Sequence, residues 1–118
     1  MRIKIPTDKK RYFGQVLEIL SSVPPFSSLT RREKTIYAAL LFENFENRKL
    51  PYNERRDIVF SPDTFEKIRF DLGVSKATIH VTMSSLRKKG ICTYDYFCKG
   101  FDIMPSTEII YKFVEVSQ

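Results

Sequence analysis

"GVSKATIHVTMSSLRKKGI", residues 73–91, decides how the rest of the chain is read. Gly73 suits the left-handed position that closes a helix. Ser75 can then cap a new one by accepting a backbone N–H. Ile79, Met83 and Leu86 recur at four- and three-residue steps, the spacing of one buried helical face. Arg87, Lys88 and Lys89 sit where positive charge complements a helix C-terminus, and Gly90 stops the helix. The stretch predicts a tight turn and a helix running from Lys76 to Lys89.

Just before it, "SPDTFEKIRFDLG" (61–73) predicts a helix capped by Ser61. Pro62 falls at the first helical position, where its missing N–H costs nothing. Phe65, Ile68 and Leu72 share its face. Further back, "LTRREKTIYAALLFENFEN" (29–47) opens with Thr30 and Glu33 at capping-box spacing. Leu29 can staple onto it, and Ile36, Tyr37, Leu40 and Leu41 form its buried stripe, with Phe45 a further candidate. "TDKKRYFGQVLEILSSV" (7–23) reads as another helix, with Thr7 as its cap and Pro24–Pro25 as its end. Gly14 inside it costs roughly 1 kcal/mol relative to alanine.

The remainder reads as loop and strand. "IKI" (3–5) and "IVF" (58–60) are short and β-favouring, and the polar, proline-bearing "RKLPYNERRD" (48–57) reads as a loop. "ICTYDYF" (91–97) and "FDIMP" (101–105) flank "CKG" as a hairpin. "TEIIYKFVEV" (107–116) is rich in β-branched and aromatic residues and predicts a further strand.

The chain has 118 residues, enough for one domain, and is 42% hydrophobic, enough for a core. No apolar run approaches the ~18 residues of a membrane span. The N-terminus lacks the apolar region of a signal peptide, so the chain reads as cytoplasmic with no membrane partner. Two cysteines, Cys92 and Cys98, and one histidine, His80, make neither a zinc set nor a disulfide framework. No cofactor or metal is expected. Nucleotide-cradling, nucleophile-elbow and zinc-protease motifs are all missing, and His80 has no acid or nucleophile placed beside it, so an enzyme is not expected. Net charge is +6, which favours a polyanionic partner. Much of that charge lies on two segments. Arg2, Lys4, Lys9, Lys10 and Arg11 are opposed only by Asp8, whereas residues 76–89 carry Lys76, Arg87, Lys88 and Lys89 with no acid at all.

The order of elements, with "LGVSKATIHVTMSSLRKKGI" as it stands, resembles the winged helix-turn-helix superfamily. Leu72, Gly73, Val74, Ser75, Ile79, Met83, Leu86, Gly90 and Ile91 fill the family's pattern, and the resemblance spans roughly residues 29–104. It implies an α+β fold: three helices and a β-hairpin wing at 29–118 with a C-terminal strand, plus an N-terminal helical extension, 1–28, packed on that core. It also implies that the helix at 76–89 enters the major groove of double-stranded DNA. The side chains it would offer are Lys76, Thr78, His80, Val81, Ser84, Ser85, Arg87, Lys88 and Lys89, with Lys99 from the wing. Lysine can donate to guanine, and serine, threonine and histidine can reach bases or phosphates. The Arg87–Lys88–Lys89 run serves equally well as a helix-dipole complement. Phe97 reads as a covered wing aromatic, and "DKKR" (8–11) as a phosphate-gripping arm or an exposed first turn.

Two functions compete. One is a DNA-binding protein, a transcription regulator or a replication initiator, with homodimerisation open. The other is a protein-interaction module within a larger assembly, such as a small structural component of a phage particle. Small size and a Lys/Ile/Phe-rich, Ala-poor composition fit a phage or plasmid origin for either. Val81 separates them. At ~100° per residue it points about 200° from Ile79, away from the core stripe. It must therefore meet a thymine methyl, a partner protein or solvent.

Overall fold

A computed structural model describes residues 1–116. Five α-helices carry the fold: α1 (Tyr12–Leu20), α2 (Arg31–Glu46), α3 (Tyr52–Val59), α4 (Pro62–Leu72) and α5 (Lys76–Lys88), with a 3-10 turn at Phe26–Ser28 between the first two. α2 is the central element, packing against α1, α3, α4 and α5. Ile36, Tyr37, Leu40 and Leu41 on it are fully buried. α1 adds Phe13, Leu17 and Leu20 to this core, α4 adds Ile68, and α5 adds Ile79, Met83 and Leu86. No helix among the described residues is long and apolar enough to cross a membrane.

Local capping chemistry explains where three helices begin. Thr30 and Glu33 form a full capping box: the Thr30 N–H donates to Glu33 Oε1 at 2.8 Å, and the Glu33 N–H donates to Thr30 Oγ1 at 3.2 Å. Ser61 accepts from the Thr64 N–H, and Ser75 from the Thr78 N–H. Gly73, at φ 65°, closes α4 in the left-handed region. α1 differs from the sequence reading. Asp8 accepts the Lys10 and Arg11 N–H groups, each at 3.0 Å, while Thr7 only donates to the Asp8 carbonyl.

The expected α+β winged fold is corrected. The regular elements among the described residues are all helices, with no sheet and only an isolated antiparallel bridge between Cys92 and Phe97. "IKI" is not a strand, and "IVF" lies at the end of α3, a helix that also takes up most of the expected loop. A local turn and long-range packing together replace the hairpin. The chain already reverses at Thr93, whose hydroxyl accepts the Asp95 and Tyr96 N–H groups at 3.2 and 3.1 Å. Tyr96 and Phe97, adjacent in sequence, are then both buried, whereas a hairpin wing covered on one face would expose one of them. Tyr96 donates to Asn44 and packs on Tyr52 and Phe60, and Phe97 packs on Tyr37. The Tyr37 hydroxyl donates to the Phe101 carbonyl at 2.6 Å, so a side chain takes the acceptor that a second strand would have used. Phe97 is thus a core residue rather than a wing aromatic. Residues 107–116, expected as a strand, form no helix or strand.

Candidate nucleic-acid interface

α5 is the second helix of the α4–turn–α5 pair. Its inner face, Ile79, Met83 and Leu86, is held against α2 and α4. The opposite face follows from helical geometry. Lys76, Ala77, His80, Val81 and Lys88 are exposed and Ser84 is half-buried. Val81 is 66% exposed, so it takes no part in the core. No carboxylate lies on α5, and neither Lys76 nor Lys88 forms an ion pair among the described residues. The result is a polar and cationic stripe about three turns long with one large apolar side chain, Val81, in its middle.

Other expected contact residues are drawn elsewhere. Lys89 turns inward, donating to Glu33 Oε1 at 2.6 Å and to the Ser28 carbonyl at 2.7 Å. Ser85 donates to the second Glu33 oxygen. These two side chains tie the end of α5 to the start of α2, so neither is free for a phosphate in this arrangement. The Thr78 hydroxyl accepts from Ser75 Oγ at 3.0 Å and belongs to the cap. Lys99 is exposed on the turn before Gly100, with no wing to carry it. Within the basic arm, Arg11 pairs with Asp8 at 3.0 Å and Lys9 with Glu46 at 3.5 Å.

Arg87 leaves the stripe sideways. Its guanidinium lies 4.2 Å from the centre of the Tyr94 ring, a cation–π stack. Together with Lys76 and His80 this pair edges an open groove of about 400 Å³ between α4 and α5, floored by Phe65, Ile79 and Met83. Across the groove Arg69 is neutralised by Glu66, whose carboxyl the guanidinium hydrogen bonds hold below the ordinary value. Tyr94, 81% exposed, is the residue that sequence reasoning missed here. Its neighbourhood read as a strand, which hid an aromatic standing beside the basic end of α5.

The described residues bring together no group of three or more metal-ligating side chains. Cys92 and Cys98 are free thiols. Compared with family models, with curated proteins and with solved structures, the chain has no significant match. Fold and site therefore stand on their own geometry.

Proposed function

We propose that the protein binds double-stranded DNA by laying the exposed face of α5 in the major groove, as the second helix of a wingless helix-turn-helix pair. The observation that carries this reading is the stripe itself: Lys76, His80, Ser84 and Lys88 share one solvent-facing side of a helix free of carboxylates. Lys76 and His80 stand near the N-terminal end, from which base edges are reached in such pairs. Lys88 and Arg87 stand at the far end, suited to phosphates. A net charge of +6 adds long-range attraction.

Fluorescence anisotropy against a selected duplex and against bulk DNA tests the proposal. Lys76→Ala and His80→Ala are expected to weaken the selected site more than bulk DNA. Lys88→Ala is expected to weaken both alike and to flatten the salt dependence by about 0.9, the slope of one phosphate no longer neutralised. Lys89→Ala should leave that slope unchanged, because its ammonium already serves Glu33. Equal losses for Lys76, His80 and Lys88 on every duplex would mean that the helix reads no bases.

Val81 favours a second reading, in which α5 docks on a protein within an assembly. An apolar side chain 66% exposed amid a polar stripe is as natural in a protein contact as against a thymine methyl. Val81→Arg distinguishes them. In a DNA groove the new guanidinium keeps or raises affinity. In a protein contact it buries an unpaired charge and should cost about 3–5 kcal/mol of association. Loss of assembly with unchanged DNA binding would replace the first reading by the second.

A further inference from the structure

Beside the exposed stripe of α5, the open groove between α4 and α5 holds about 400 Å³, within the ~300–1,000 Å³ of small-molecule sites. Phe60, Phe65, Ile79 and Met83 give it an apolar, largely aromatic floor, with Phe60 meeting Phe65 edge to face at 5.8 Å. Methionine readily adapts its shape to an aromatic guest. Over this floor the charge is unbalanced. Among the described residues Glu66 is the only acid in the lining, and Arg69 neutralises it. Lys76 lies near Glu66 without pairing with it. Asp63 and Asp95, next in sequence to Pro62 and Tyr94, do not line the groove. Arg87 is half-buried, and its guanidinium has no ion-pair or hydrogen-bond partner among the described residues. Cys92, close enough to sense this charge, stays a neutral thiol because burial pushes it up to about 12. The Tyr94 ring, centred 4.2 Å away, covers the face of the guanidinium and leaves its fork of N–H donors free.

We propose that this groove binds a small organic acid with an apolar, aromatic body, its anionic group held by Arg87 and its rings laid on Phe65 and Met83. A planar guanidinium fork matches an oxyanion with two hydrogen bonds at once. Tyr94 already holds that fork in place, so little side-chain freedom is lost when the anion arrives. Lys76, about three turns away along α5, adds long-range attraction. An apolar body alone would leave the Arg87 donors unused, and an anion without one would leave the aromatic floor in water. The inference is separate from DNA binding, because Phe65, Met83 and Tyr94 are not part of the exposed face of α5.

Fluorescence titration of the full chain with two probes tests this. One is 1-anilinonaphthalene-8-sulfonate, an aromatic anion; the other is N-phenyl-1-naphthylamine, the same rings without the sulfonate. The unaltered chain is expected to bind the sulfonate saturably, and the neutral probe more than about tenfold more weakly. Arg87→Gln should weaken the sulfonate by more than about tenfold and leave the neutral probe unchanged. Tyr94→Leu should weaken the sulfonate by about threefold, since the guanidinium survives but loses the ring that holds it. Arg31→Gln, on the rim of the separate groove formed by α1, α2 and α4, should change neither probe. The ends of the Arg87 and Tyr94 side chains lie at the surface, so these variants should keep the parent's circular dichroism. Three results overturn the proposal. The unaltered chain shows no saturable binding of the sulfonate. Both probes bind equally, which would mean that apolar surface alone is recognised. Or Arg87→Gln binds the sulfonate like the parent, which would place the anion elsewhere.

Discussion

Leu86→Ala is expected to cost about 2–5 kcal/mol of folding stability, read as a lower urea midpoint at unchanged slope. Leu86 is fully buried on the inner face of α5, at the seam where that helix meets α2. Truncation removes apolar burial and leaves a cavity, and both terms add. The surroundings have little freedom to close it. The Leu86 carbonyl accepts the Ile91 N–H at 3.0 Å as the chain turns at Gly90, and Ile91 is itself fully buried. A loss below about 1 kcal/mol would mean that α5 is not packed as described.

Glu33→Ala is the second large effect, expected at about 2–3 kcal/mol. The capping box contributes about 1 of this. The rest comes from stranding groups that the carboxylate satisfies: the Lys89 ammonium and the Ser85 hydroxyl. Lys89 can turn to water, since its side chain is 27% exposed, which keeps the cost below that of a fully buried pair. Burial pushes the Glu33 carboxyl upward, but hydrogen bonds from Lys89, Ser85 and the Thr30 N–H, with the Lys89 charge, outweigh it and hold the group below its ordinary 4.5. The sign follows. A carboxyl depressed in the folded state contributes stability that is fully present above its ordinary value, and that contribution disappears as pH falls through the folded value. Glu33→Gln keeps a residue suited to the capping box but removes the charge. Its urea midpoint should therefore change less than the parent's between neutral pH and the acid side of 4.5. Identical pH profiles for the two would show that the Lys89 contact adds nothing.

Features determined by near neighbours were legible in the sequence. Thr30 with Glu33, Ser61 with Pro62, and Gly73 with Ser75 mark helix ends through bonds spanning three or four residues, and each occurs where the pattern placed it. α3 escaped because its eight residues bury only Val59, too little to create a periodic stripe. Tyr94–Phe97 misled in the opposite direction. Aromatic residues favour strands in isolation, yet Asn44, Tyr52 and Phe60 draw Tyr96 inward, a tertiary preference that overrides the local one. The same logic governs where the expected contact residues point. Lys76, His80 and Lys88 face outward because helical geometry alone sends them there. Ser85 and Lys89 turn to Glu33, a partner that no local pattern announces because it lies more than fifty residues earlier.

The position of α2 has a bearing on how the chain reaches this structure. The helices on either side of it in sequence, α1 and α3, both pack on it, and α3 packs in turn on α4, and α4 on α5. Each of those encounters closes only a short stretch of chain, so little entropy is lost before apolar contacts repay it. The longer closures, Glu33 to Lys89, Asn44 to Tyr96 and Tyr37 to Phe101, then act on a scaffold already assembled. Collapse around one axle in chain order, with distant latches fastening last, belongs to the fast-folding helical topologies rather than to the slow strand pairing that a hairpin would have required.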